Sequence, residues 1–428
     1  KQLAVINQLK LRGSYGVLGN SNIPPYLFLS TYEYVNAQNF YPGAPPSIGY
    51  TQTLIANPSI KWESVYETNV GLDAEFLSGR YFFTVEWYNK TTEGMLYALP
   101  IPTSVGLPSG RFYTNIGSVR NRGVDVVLGT RATAGKLTYS ATVTGSFNQN
   151  RVLNLDNINS TPILAGDNGY GSFNYGQQPG QYLTYTRAGL PFGQFYGYQV
   201  DGIYQDQAQV DGHPQRAGAK ATVGDLIYRD VDGDGVITDK DKTIIGNPYP
   251  KLTYGINLNV SWRGFDVAAL FNGVAGVDLY NGVAPYSQAP FSDGNTTAKV
   301  FGASFLDGNG LTSQPRLGVL TPGANGAPAT FAADPNGNYA NVSSYFVERG
   351  DYLKLKNLQL GYTLGGGLLE RARAKSARLF VMANNLFTLT RYSGIDPEIA
   401  GDVTLRGIDA PLQYPHTRIY SVGVDVTF

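Results

Sequence analysis

The sequence contains no cysteine, only two histidines (His213 and His416), and few charged residues: 15% of 428 positions, against roughly 25% in an ordinary soluble domain. The absence of cysteine excludes a disulfide framework, thiol chemistry and any cysteine-based metal site. Two histidines far apart in sequence exclude a His-rich zinc site and a HExxH protease. No run approaches the ~18 apolar residues of a membrane-spanning helix. Lys+Arg and Asp+Glu both number 32, so there is no basic excess to neutralise phosphates, and no nucleic-acid partner is expected. There is no GxSxG elbow, no Walker-type phosphate loop, no strand-borne GxGxxG and no nucleophile–base arrangement, so an enzyme is not expected. Asp73 and Glu75 are two carboxylates of the kind a glycosidase uses, but they fall on the polar side of a strand pattern, where acids line a wet interior. The chain starts at Lys1 with neither an initiator Met nor a charged-then-apolar leader, which reads as a processed mature protein or a piece of a longer one.

What the sequence has in quantity is glycine (52), tyrosine (31) and alternation. From Leu252 to Trp262 the apolar set is Leu252, Tyr254, Ile256, Leu258, Val260 and Trp262, and the intervening set is Thr253, Gly255, Asn257, Asn259 and Ser261. Period-2 alternation places the two sets on opposite faces of a strand. The same pattern holds for Val70 to Phe76, Tyr81 to Trp87 and Leu137 to Phe147. A soluble β-sandwich also alternates, so alternation alone leaves both readings open.

Three features favour a membrane barrel. The segments reach ~10 residues, the length a tilted strand needs to cross a bilayer, whereas soluble strands average ~5–6. Aromatics such as Tyr81, Trp87, Trp262 and Tyr420 stand near segment ends, where an interfacial girdle would lie. Connections alternate between short (77–80, 134–136, 189–193, 263–264) and long (19–60, 93–113, 150–177, 205–250, 277–350, 390–417), the turn-and-loop asymmetry of outer-membrane barrels. The fold class expected is therefore all-β, an antiparallel transmembrane β-barrel, with about twelve strands in this chain. The last strand, Arg418 to Phe428, turns Tyr420, Val422, Val424, Val426 and Phe428 outward, and its terminal aromatic resembles the signal read by the outer-membrane insertion machinery. Between Tyr352 and Leu364 the apolar phase shifts, which predicts a β-bulge near Lys356–Asn357. The link over 365–375 has a helix-like stretch at 368–371 and reads as an elaborated turn. Lys10, Arg12, Glu86, Lys90 and Arg131 read as charges solvated or paired inside the barrel. The Ala/Gly/Pro/Asn-rich stretch 320–341 reads as a mobile exposed loop. Residues 170–175 and 280–291 are candidate ligand-facing segments.

One motif suggests an ion. Asp230, Asp232, Asp234, Gly235, Val236, Thr238 and Asp241 occupy positions 1, 3, 5, 6, 7, 9 and 12 of an EF-hand-type loop. Alternate carboxylates converge on one centre when the chain curls around it, glycine permits the sharp turn, position 7 offers a carbonyl and position 12 closes the shell. Metal ligation is accordingly assigned to Asp230, Asp232, Asp234, Val236, Thr238 and Asp241, with calcium as a structural ion. Position 12 is Asp rather than Glu, and its reach is shorter. An ion-free acidic turn is the alternative; three carboxylates this close repel one another unless a cation is present.

The strings LKLRGSYGVLGN (from Leu9), NPSIKWESVYETNVGLDAEF (from Asn57), NIGSVRNRGVDVVL (from Asn115), GLPFGQFYGYQVDGIYQ (from Gly189), GDLIYRDVDGDGVITDKDKTIIGNPYPKLTYGINLNVSWRGFDV (from Gly224), YLKLKNLQLGYTL (from Tyr352) and NNLFTLTRYSGIDPE (from Asn384) resemble, in order, the SusC/RagA family of TonB-dependent outer-membrane transporters. The resemblance implies a 22-stranded barrel with an N-terminal plug and a TonB box. It also implies import of large nutrients, oligosaccharide or peptide, in Bacteroidetes, a SusD-like lipoprotein as lid, energy supplied through TonB and dimers of transporter–lid pairs. The plug and TonB box are not in these residues, so 1–428 is expected to be the C-terminal part of such a barrel, located in the bacterial outer membrane. Two other readings stay open: a passive porin closed by this chain alone, in which Leu9 to Val17 would pair with Arg418 to Phe428, and a secreted calcium-binding adhesion module.

Overall fold

A computed structural model describes the chain apart from residues 1–4, 21–24, 36–48, 102, 107–110, 156–161, 167–180, 290–295, 301–312, 322–329, 365–372, 400 and 411–412. Ten long strands build one sheet: β1 (Ile6–Asn20), β2 (Glu63–Phe76), β3 (Tyr81–Glu93), β4 (Ser118–Ala134), β5 (Leu137–Asn154), β6 (Leu252–Trp262), β7 (Phe265–Ala275), β8 (Tyr352–Leu364), β9 (Ser376–Thr390) and β10 (Ile419–Thr427). Each strand pairs antiparallel with the next in sequence, so spatial order equals chain order. No helix among the described residues is long and apolar enough to cross a membrane; the crossing elements are strands.

The expected dozen strands become ten because two segments counted as wall belong to the connection between β5 and β6. Thr184–Thr186 and Gln194–Tyr198, joined through 187–193, form a hairpin in a separate four-stranded sheet. Once they are removed, the wall is regular. Four connections, 77–80, 135–136, 263–264 and 365–375, lie at one end. Five long ones, 21–62, 94–117, 155–251, 276–351 and 391–418, lie at the other.

The register aligns the apolar sets. Val260 faces Tyr139 on one side and Val267 on the other; Val267 faces Leu360, Leu360 faces Val381 and Val381 faces Val422. Leu11, Val70, Trp87, Leu128, Val143, Leu258, Val267, Leu360, Val381 and Val422, one from each strand, share that face, and all are between 38% and 82% exposed. Leu258 and Val424, which a sandwich would cover with a second layer, are both open. The accessible surface is 24668 Å² for 46.3 kDa, against about 16,000 Å² for a compact soluble chain of that mass. The wall is a single layer with both faces open, as a barrel wall between hydrocarbon and water requires.

Aromatics mark the short-turn rim. Tyr81, Trp262, Phe265 and Tyr362 are exposed there, with Phe265 and Tyr362 ring centroids 4.5 Å apart. Arg80 and Arg263 lie over Tyr81 and Trp262 at 5.7 and 5.1 Å. An apolar ring body with a cation at its edge suits a membrane–water boundary. Trp87, by contrast, sits in the middle of β3 and is not part of a girdle.

The bulge falls where the phase shift places it. Leu270 pairs with Asn357 and Phe271 with Leu355, which leaves Lys356 as the extra residue. The sheet does not close on itself. Among the described residues β1 pairs only with β2 and β10 only with β9, so the pairing that a self-contained porin requires is not made. An edge with unpaired backbone groups is untenable in hydrocarbon, and this wall needs further strands on both sides. The helix-like stretch 368–371 lies outside the described residues.

A charge on the outer face tests the assignment. In the complete barrel, Leu258→Arg is expected to cost ~2–4 kcal/mol near the bilayer midplane, whereas Asn259→Arg, one residue on and facing inward, changes stability by less than ~1 kcal/mol. Urea unfolding in lipid vesicles measures both.

Candidate functional site

The wet face carries its charges in rows across three strands. Arg12 of β1 pairs with Asp73 of β2 at 3.1 Å and with Glu86 of β3. To reach Glu86 its guanidinium lies over Gly71, where a Cβ would stand 2.7 Å from Arg12 Cζ. The arrangement recurs at the other end of the sheet: Arg378 of β9 reaches Asp266 of β7 at 2.9 Å across Gly361 of β8. Arg131 faces Glu75 at 3.4 Å. Of the inward charges expected from the sequence, Arg12, Glu86 and Arg131 are thus paired. Glycine at the central position removes the side chain that would part acid from base.

Above the wet face, three long connections share one packed core. Leu183 and Phe195 (from 155–251), Tyr280, Tyr339, Val342 and Phe346 (from 276–351), and Leu405 and Ile408 (from 391–418) form a single buried cluster. Cross-connection bonds fix it: the Thr184 hydroxyl donates to the Thr404 carbonyl at 2.7 Å, and Tyr280 N–H donates to the Gly407 carbonyl at 2.9 Å. The Gln181 amide both donates to Asn341 at 2.7 Å and accepts from Val342 N–H at 2.9 Å. Beside it, Arg316 makes a fork to buried Asp225, at 3.1 and 2.7 Å, and Asn338 donates to the same carboxylate at 2.9 Å. Among the described residues this buried cluster therefore lies in the rim connections rather than in the wall strands.

This corrects two expectations. Of the stretch 320–341, residues 322–329 lie outside the described residues, and 334–341 is not an exposed loop: Asn336, Asn338 and Asn341 are buried and hydrogen-bonded into the rim. Within the ligand-facing candidate 280–291, Tyr280 is 1% exposed and belongs to the core, while the short helix Val283–Gln288 lines a cavity. Residues 170–175 and 290–291 lie outside the described residues.

The acidic loop brings three of the six assigned residues together. Asp230, Asp232 and Asp234 place one carboxylate oxygen each within 4.8 Å of the others. Asp230 accepts from the N–H groups of Gly233 and Gly235 at 2.7 and 2.9 Å, and Asp234 from Val236 at 2.9 Å. Gly233 and Gly235 hold φ of +75° and +86°, which glycine adopts without strain. Thr238 and Asp241 are engaged elsewhere. They form a capping box on the 3₁₀ turn Asp239–Asp241, and buried Asp241 accepts from Val231 and Thr238 N–H, both at 2.7 Å. Burial opposes ionisation of Asp241, but these N–H donors outweigh it and hold its carboxyl below the ordinary range. An oxygen cage drawn from the six assigned residues thus begins with half-buried Asp230 and exposed Asp232 and Asp234, and the closing position serves the backbone.

A second polar cluster gave no sequence signal. Lys354, 1% exposed at the rim end of β8, donates to Asp396 at 3.2 Å and Glu398 at 2.7 Å. Lys356, the bulged residue, reaches Glu398 at 3.1 Å, and His416 Nδ1 lies 2.7 Å from Asp396. Lys354 and Lys356, two residues apart, thus meet two carboxylates of the last long loop.

The wall and rim define a segment of an outer-membrane β-barrel. The family model described as TonB dependent receptor-like, beta-barrel matches residues 2–227, and the chain belongs to that family. It is 30% identical to TonB-dependent receptor P3 of Formosa agariphila over all of this chain and 40% of that protein. It is 23% identical to TonB-dependent receptor SusC of Bacteroides thetaiotaomicron over all of this chain and 38% of that protein. Among solved structures, the RagAB peptide transporter superposes with a TM-score of 0.76 at 23% identity, covering 100% of this chain and 42% of that one. The chain thus spans about two-fifths of the length of the relatives it matches.

The rim carries a pH dependence. Asp334 is 8% exposed, and burial pushes its carboxyl up to about 7 despite N–H donors from Asn338, Tyr339 and Ala340. The folded group holds its proton to higher pH than the unfolded chain does. Its contribution is therefore full below about 4 and lost as pH rises through about 7. The opening equilibrium of the 334–341 amides is expected to rise by up to about tenfold per pH unit between pH 5 and 7 and to level off by pH 8. Hydrogen exchange corrected for intrinsic rates measures this, and Asp334→Asn is expected to flatten the profile.

Proposed function

We propose that this chain is the C-terminal barrel part of an outer-membrane importer of large nutrients, peptides first among them. A SusD-like lipoprotein serves as its lid, and energy is delivered through TonB to a plug domain outside these residues. The observation that carries the reading is the single-layered wall, greasy outside and ionically paired inside, with every long connection gathered at one rim. A conduit needs a wet lumen and a structured mouth, and a sandwich needs neither. The closed parent wall would hold 22 strands, of which these are ten. The likeness to a structure titled as a peptide transporter supports peptide as the cargo class, with oligosaccharide as the competing cargo. The test is uptake of a fluorescent decapeptide and of a fluorescent maltooligosaccharide by cells of the source organism, with and without the full-length gene. The expected result is that peptide uptake falls at least tenfold on deletion and equally when TonB is removed. Uptake that survives loss of TonB would point to passive diffusion instead, and loss of sugar uptake alone would reassign the cargo.

We further propose that Asp230, Asp232 and Asp234 hold a structural calcium ion that stiffens the connection between β5 and β6, with the Val236 carbonyl and water among the remaining ligands. Support comes from the converging carboxylates and the two left-handed glycines. Extracellular calcium modules bind at ~10⁻⁴–10⁻³ M, so about 5 mM Ca²⁺ is expected to slow tryptic cleavage at Arg229, Lys240 and Lys242 by roughly 5–50-fold. The double variant Asp232→Asn, Asp234→Asn is expected to lose that protection. A wild-type digest indifferent to calcium would leave the loop as an ion-free turn.

A further inference from the structure

Between the short helix Val283–Gln288 and the connection from β9 to β10 lies a cavity of about 530 Å³, within the range of small-ligand sites. Val283, Ala284, Ile395 and Ile399 give it apolar walls. Three polar groups on its lining are incompletely bonded. Asp409, 8% exposed, takes the Tyr392 hydroxyl on Oδ2 at 2.6 Å, and its Oδ1 has no partner among the described residues. Gln288, 7% exposed, has no hydrogen bond from its amide among them either. The Thr297 hydroxyl is buried without a partner. The Asp409 oxygen and the Gln288 amide, carried on residues more than nine-tenths buried, open on this one space, and such groups without a protein partner point to a guest.

The charges select the guest. Asp396 and Glu398 also line the cavity, but Lys354, Lys356 and His416 already occupy their oxygens. Asp409 has no cation within ion-pair distance among the described residues. Nor does Glu348 behind it, whose carboxylate accepts from Asn281 and from Ser393. Lys299, on the exposed margin, is the one other cation among the described lining residues. A neutral hydroxyl would fill the hydrogen bonds and leave the buried charge. A calcium ion would need six to eight oxygens. A primary ammonium brings one positive charge and donors for the Asp409 oxygen and the Gln288 carbonyl, while its methylene stem suits the apolar walls.

We propose that this cavity captures a primary ammonium on an aliphatic stem, the lysine side chain of an imported peptide; the proposal rests on the peptide-import reading. The test is calorimetric titration of the full-length protein in detergent with N-acetyl-Ala-Lys-Ala-amide and with its Nε-acetyl twin, so that the only ammonium is the one in question. The lysine peptide is expected to bind at least tenfold more tightly than its twin. Asp409→Asn, which keeps an acceptor for Tyr392, is expected to bring the two within about twofold. Gln288→Met provides a second reading should the first variant fail the heat-modifiable mobility test of a folded barrel, and is expected to weaken lysine-peptide binding several-fold. Equal binding of the two peptides overturns the inference and leaves peptide import standing, as does a preference that survives both substitutions. Binding of maltohexaose with neither peptide bound overturns both.

Discussion

The structure depends on which medium covers the apolar side of its strands. Ten strands each present an aliphatic or aromatic residue on one continuous face, and among the described residues no second layer packs on it. In water such a face would be an association surface many times larger than a soluble monomer tolerates. In a bilayer it is the buried side, and the sheet hydrogen bonds satisfy the backbone there as no irregular chain could. The opposite face is then free to be polar, and its charges need no desolvated core. Arg12 and Arg378 meet their acids across glycines in a wet interior, where such pairs set geometry more than they add stability.

With the wall turned inside out, the protein-like core moves to the rim. Phe195, Tyr280, Tyr339 and Phe346 pack there as a small soluble domain would, and the Asp225–Arg316 fork is buried beside them. A buried ion pair of this kind is weak evidence for stability, because desolvation offsets its attraction, yet losing one partner is costly. Its effect is to fix how the connections 155–251 and 276–351 sit against each other. A conduit mouth built from five separate loops gains a defined shape only through such cross-links, and a defined shape is what ligand selection requires.

The wall was legible in the sequence because its determinants are local. Alternation, the short turns 77–80 and 263–264, and the phase slip at Lys356 each act over a few residues. The excess in strand count has a local cause too: the glycine-bearing turn 187–193 looks like a barrel hairpin, and only its surroundings show that it belongs to the rim. The convergence of Asp230, Asp232 and Asp234 was legible from spacing; the capping role of Asp241 was not, since it depends on how the 3₁₀ turn closes. The rim core lay out of reach. Asn338 meets Asp225 across 113 positions and Lys354 meets Glu398 across 44, and nothing in a polar, proline-rich stretch announces that its asparagines are buried.

Because this chain has no cysteine, single spin labels in it can be placed without background from its own residues. Labels at Leu258, Val381 and Val422 of the full-length protein in lipid vesicles, compared with labels at Asn257 and Asn259, test the central claim most directly. Collisions with dissolved oxygen should dominate at the first three and collisions with a water-soluble nickel chelate at the last two. Nickel-chelate accessibility at Leu258, Val381 and Val422 equal to that at the asparagines would mean that water, not hydrocarbon, covers the apolar face, and the barrel account would fail.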